Sequence, residues 1–151
     1  MPDLRALVPN RMFRNDEGMR FQDVTTAGGF GSLQKGHGIS FADLDHDGDQ
    51  DIYQVLGAAF EGDVYRNVLF ENPGHGNHWV TLLLQGESSN RDGIGARIRV
   101  RVETGTGEGR DIHLTIGSGG SFGSSPLRQE IGLGAAAAIE YVEIVWPTSG
   151  Q

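Results

Sequence analysis

The chain contains no cysteine, which excludes a disulfide framework and any thiolate metal site. It has no apolar run approaching the ~20 residues of a membrane-spanning helix. Its N-terminal stretch, MPDLRALVPNR, has no apolar h-region, so the sequence as written is expected to carry no signal peptide and to be soluble, with no membrane insertion. Basic residues are scarce: 12 Lys and Arg face 20 Asp and Glu, for a formal net charge of −8. That balance argues against a nucleic-acid partner, because nonspecific nucleic-acid binding rests on neutralising phosphates. No segment carries a convincing helical period, and the alanines at 135–138 are too few to stand as a helix unaided.

What the chain has is glycine, 24 of them, set among short alternating segments, and this composition predicts an all-β fold. In Ala96 to Glu103 the apolar residues share one parity and the charges the other, as in a half-buried strand. Ile112, Leu114 and Ile116 repeat the pattern, as do Leu127, Ile131 and Leu133. Val142, Ile144 and Trp146 do so again before Pro147 ends the segment. Earlier in the chain, Ile39 to Phe41 and Ile52 to Leu56 read as strands on either side of an acidic run. The breaker cluster Asn72-Pro73-Gly74-His75-Gly76-Asn77 divides the 151 residues into two candidate domains, 10–72 and 77–150. The expected architecture is one propeller-like blade or hairpin unit packed with a C-terminal antiparallel β-sandwich-like domain.

The acidic run itself reads Asp43-Leu44-Asp45-His46-Asp47-Gly48-Asp49-Gln50-Asp51. Carboxylates at alternate positions around a glycine suit a hard cation such as Ca²⁺, which takes about six to eight oxygens at ~2.3–2.6 Å. Without a cation the run is costly, since unit charges ~4 Å apart repel by about 4 kcal/mol at an effective dielectric near 20. An EF-hand does not fit, because it needs flanking helices and a bidentate Glu where this chain has Gln54 inside a strand. The candidate metal ligands are Asp43, Asp45, Asp47 and Asp51 through their carboxylates, and Asp49 through its backbone carbonyl. The competing reading is a solvated acidic turn.

The phrases around the run resemble a known family. The loop, preceded by Gly38-Ile39-Ser40-Phe41, is similar to the calcium loop of the integrin-like FG-GAP (VCBS) repeat. Asn10-x-x-Phe13-x-Asn15 followed by Phe21-Gln22-Asp23-Val24-Thr25 resembles the phrase before it, and Asn67-x-x-Phe70-x-Asn72 echoes the first part. Further on come Asn77-His78-Trp79, Asn90 to Arg97, Gly117-Ser118-Gly119, Gly132-Leu133-Gly134 and Val145-Trp146-Pro147. Their order is similar to the ASPIC/UnbV domain that closes relatives of cartilage acidic protein. One phrase departs: where that family carries an aromatic-Leu-Ser-Gln stretch, this chain reads Gly120-Ser121-Phe122-Gly123-Ser124-Ser125. The repeat count also departs, since a propeller needs several blades and the chain holds about one.

Enzyme-like signals are few. Gly119-x-Ser121-x-Gly123 has the spelling of a nucleophile elbow, but that motif needs a strand–turn–helix and a later histidine, and no histidine follows. A glycine-rich turn is the expected reading. His75 and His78 could ligate a metal but have no third His or Cys close in sequence; His37 and His46 are expected to be solvent-exposed. Arg97, Arg99 and Arg101 form a basic row that is either a solvated strand face or a surface for an acidic partner or sulfated glycan. Trp79 and Trp146 are either core or sugar-stacking surfaces. The leading expectation is a noncatalytic, calcium-stabilised interaction or adhesion module with a protein or glycan partner, and a homo-oligomer is allowed. The resemblance implies an extracellular or periplasmic setting. The alternatives are a metal-assisted hydrolase and a carbohydrate-binding β domain.

Overall fold

The structure, a computed structural model, describes residues 8–16, 18–33, 35–57, 64–105, 107–120 and 122–147. The chain is all-β, with ten strands in antiparallel sheets and no helix among the described residues. No described helix is long and apolar enough to cross a membrane. The strands are β1 (Phe13–Asp16), β2 (Arg20–Asp23), β3 (Gly36–Ala42), β4 (Asp51–Leu56) and β5 (Val68–Phe70). They continue with β6 (His78–Leu82), β7 (Arg97–Val102), β8 (Arg110–Thr115), β9 (Gln129–Gly134) and β10 (Ile139–Val145). Four sheets result, ordered β1-β2, β3-β4-β5, β10-β7-β8 and β6-β9.

The contacts divide the chain into two compact units, Met1–Gly38 with Gln54–Val68, and Ile39–Tyr53 with Leu69–Gln151. In the first unit β1 and β2 form a hairpin, with Phe13 opposite Asp23 and Asn15 opposite Phe21. Asn15 Oδ1 accepts the Gly18 N–H at 2.8 Å, and Asp16 takes Arg20 at 2.7 Å, so polar groups fix the turn. Beyond the hairpin, the buried Thr25 hydroxyl accepts the Met12 N–H at 3.0 Å. Asp23 accepts the Thr25 N–H, and the hydrogen bonds from Thr25 hold its carboxyl below the usual range.

The second unit contains a two-layer sandwich built by the alternation read from the sequence. Ile98, Val100 and Val102 of β7 are 1%, 0% and 0% exposed, so the apolar parity of that strand is the centre of the core. Ile131 and Leu133 of β9 join them from the other sheet, along with Ala96, Ile116 and Ala136. Val80, Leu82, Ile112, Leu114, Ile139, Ile144 and Trp146 pack around this cluster. Val142 departs from expectation: it shares the apolar parity of β10 but is 38% exposed. It lies on an edge strand whose register shifts between Ile139 and Tyr141.

The arginine row lies on the other face of β7. Arg99 donates to Asp111 on β8 at 2.8 Å and lies 3.7 Å from Glu143 on β10. Arg101 stands 3.3 Å from Asp111 and 3.8 Å from Glu140, and the Arg99 guanidinium sits 5.6 Å from the centroid of Tyr141. The Arg99 hydrogen bond holds the Asp111 carboxyl below its ordinary value. Arg99 and Arg101 are thus paired with acids of their own sheet, and Arg97, the third residue of the row, is exposed.

Candidate functional site

The acidic run is the connection between β3 and β4, as its flanking apolar residues predict. With strands on both sides and Gln54 inside β4, 3% exposed, the loop is not an EF-hand.

The loop is shaped by its own carboxylates. Asp43 is 6% exposed; one of its oxygens accepts the Asp47 N–H at 3.1 Å and the other accepts the Gly48 N–H at 3.3 Å. Asp45 accepts the Asp47 N–H at 3.4 Å, and Asp47 accepts the Asp49 N–H at 3.1 Å, the two-residue side-chain turns typical of aspartate. Asp51 closes the loop, accepting the Leu44 N–H at 3.1 Å and the Asn72 N–H at 2.9 Å. The backbone passes through two left-handed residues, His46 at φ 66° and Gly48 at φ 94°.

These turns bring Asp43, Asp45 and Asp47 together, with one oxygen of each within 4.8 Å of the others. Two oxygens that share a cation at about 2.4 Å stand no more than about 4.8 Å apart, so the spacing meets this requirement of a shared ion. Asp49 and Asp51 lie outside that group of three. One Asp49 oxygen, Oδ1, is buried without a hydrogen-bond partner. Burial, and then the charges of Asp47, Asp51, Asp45 and Asp43, push the Asp49 carboxyl up from its ordinary value. An all-carboxylate donor set with one buried, unpaired oxygen could hold a hard cation, and these residues fit one.

The loop rests on the second unit's sandwich. Gly48 is buried, and a Cβ placed there would fall inside the indole of Trp79. Trp79 lies on β6 opposite Gly132, on the face of the β6-β9 sheet turned away from the core, and is 44% exposed. It is therefore neither buried in the core nor free of contacts. Gln50 Nε2 donates to Glu130 on β9 at 3.4 Å, and Arg128 holds the other Glu130 oxygen at 2.5 Å. The glycine-rich turn at 119–125 supports the strand that leads into the loop: Gly119 pairs with Ser124, and Gly123 leaves no room for a Cβ beside the Ile39 backbone. Ser125 Oγ accepts the Phe41 N–H at 3.4 Å. Ser121, the residue at the nucleophile position of the elbow-like spelling, lies outside the described residues.

A cleft of about 620 Å³ opens where the loop, the 72–79 segment and β9 meet. His75 and His78 are exposed on its rim, and no group of three metal-ligating side chains among the described residues includes either. His46 is exposed, as expected, whereas His37 is half-buried with Nε2 unpartnered. Three features escape sequence reasoning: the capping of Asp51 by Asn72, the seat of Gly48 on Trp79, and the buried Glu130 with its partners. Each joins residues far apart in the chain, and only the pairing of a bulky Trp79 with a side-chain-free Gly132 hints at the second.

An all-β module with an acidic loop between two strands is the class this geometry defines. Residues 7–53 match the FG-GAP-like repeat, and residues 86–151 match the family described as ASPIC and UnbV. The two matches, each over less than half of the chain, stand in the order its sequence phrases suggest. No curated protein and no solved structure matches the chain significantly.

Proposed function

We propose that the chain is a noncatalytic calcium-binding interaction module, working outside the cytoplasm in adhesion or matrix-like contacts with a protein or glycan partner. Ca²⁺ acts structurally in this reading. It neutralises the crowded carboxylates of 43–51 and fixes the loop against the β6-β9 sheet. The observation that carries the proposal is the approach of the Asp43, Asp45 and Asp47 oxygens to within 4.8 Å of one another. The unpaired Asp49 oxygen and the match of residues 7–53 to an FG-GAP-like repeat support it.

Terbium, a luminescent substitute for calcium, provides the test, because the Trp79 indole lies against the loop and can pass excitation energy to an ion bound there. Excitation of tryptophan should give terbium emission that calcium competes away, and Asp45→Asn should weaken it. A ligand that binds only the folded state adds about 2.7 kcal/mol at a hundredfold excess over Kd. For a chain of this size that is a rise of roughly 5–10 °C in melting temperature over a sample in EGTA. Absence of terbium emission together with identical melts in calcium and EGTA would remove the claim.

A further inference from the structure

We propose that the cleft beside the acidic loop is a binding site for a neutral carbohydrate, with Trp79 as its stacking surface. This rests on the calcium reading only in so far as the ion orders the wall that Asp47 and Asp49 contribute. At about 620 Å³ the cleft falls within the ~300–1,000 Å³ range of small-molecule sites. Its lining lies within one compact unit.

The chemistry of the lining selects the ligand. Trp79 is held on one side by Gly48 yet remains 44% exposed and lines the cleft, so indole surface is offered there with little rotamer freedom left to lose on binding. One carboxylate at the cleft has acceptor capacity to spare: Glu130, its side chain 1% exposed, has one oxygen met only by the long 3.4 Å bond from Gln50. Beside it stand Gln50, Asn77 and His75, side chains that both donate and accept. A sugar hydroxyl donates and accepts, and the C–H face of a pyranose covers an indole; the lining offers a counterpart to each. An ammonium ligand only donates and would leave the amide N–H groups idle. An anionic sugar would find no Lys or Arg in the lining to receive its carboxylate.

The test is calorimetry and saturation-transfer NMR on the full chain loaded with calcium, using the methyl glycosides of glucose, galactose, mannose and N-acetylglucosamine. Glucuronate and tetramethylammonium serve as contrasts. At least one neutral glycoside should bind and perturb tryptophan fluorescence. Trp79→Ala and His75→Ala should each weaken it by about tenfold or more. His75 is exposed and makes no bond within the loop, so its variant retains the fold even if Trp79→Ala disturbs it. Terbium emission separates the two proposals. Emission without binding of any neutral glycoside overturns the carbohydrate site and leaves the calcium loop standing. Binding without emission does the reverse. Binding that survives both substitutions, or is confined to glucuronate or tetramethylammonium, also overturns the proposal.

Discussion

Replacing Gly48 with alanine tests the seating of the acidic loop most directly. Two costs arise from independent features of the site. At φ 94° an L-residue loses roughly 1–2 kcal/mol relative to glycine. The new methyl group would also fall inside the Trp79 indole, and overpacking of this kind costs typically about 1–3 kcal/mol. Together they come to about 2–5 kcal/mol, a large part of the ~5–15 kcal/mol that holds a typical domain folded. Urea unfolding followed by far-ultraviolet circular dichroism, in calcium, measures the loss without relying on tryptophan. The same substitution in a Trp79→Ala background removes the obstacle and keeps the backbone strain, so the cost should fall to roughly 1–2 kcal/mol. A coupling of about 1–3 kcal/mol between the two positions is the expected result. Equal losses in both backgrounds would show that the indole does not seat on Gly48, and the placement of the loop on the β6-β9 sheet would be wrong.

Two further outcomes follow from burial and charge. Because burial and neighbouring aspartates raise the Asp49 carboxyl, the metal-free fold binds its proton more tightly than the unfolded chain does; this stability is present in acid and is lost as pH rises from about 4 through the folded value. In EGTA, the stability difference between the parent and Asp49→Asn should therefore shift against the parent as pH rises to neutrality, and calcium should shrink it; a pH-independent difference would refute the assignment. Ile98→Ala, at a position 1% exposed in the centre of the sandwich, should cost about 2–5 kcal/mol in urea unfolding, and a loss under ~1 kcal/mol would mean that β7 is not the core strand.

The strands of the sandwich were the most legible part of the chain, and the reason is physical. Burial of one face imposes a period of two, and in Ile98-Arg99-Val100-Arg101-Val102 no other demand competes with it. Where a strand runs along an edge, as β10 does, the constraint relaxes, and Val142 stands half exposed at an apolar position. The short strands β1, β2 and β5 carry too few residues for alternation to register, and β6 is marked only by the run His78-Trp79-Val80-Thr81-Leu82. At the site, the aspartates were legible because carboxylate spacing is local. What the loop rests on was not, because Gly48 and Trp79, Asp51 and Asn72, and Gln50 and Glu130 are brought together by tertiary packing alone. The arginine row shows the same limit, since its charges are visible in sequence and their partners Asp111, Glu140 and Glu143 lie on other strands.

The placement of the loop also bears on what a cation there would do. Residues 43–51 fall within the match to the FG-GAP-like repeat at 7–53, yet by contact Ile39–Tyr53 groups with Leu69–Gln151. The groups that achieve this are specific: the Trp79 indole under Gly48, the Asn72 N–H on Asp51, the Glu130 carboxylate on Gln50, and the close approach of Gly123 to Ile39. None belongs to the sandwich core, where Ile98, Val100 and Ile131 are closed off without help from the loop. A cation that relieves the repulsion among the aspartates therefore acts on the outer face of the β6-β9 sheet, where Trp79 and Glu130 border the cleft. The metal loop and the ligand surface are neighbours through Gly48, which is why a residue with no side chain is the point at which the two can be separated experimentally.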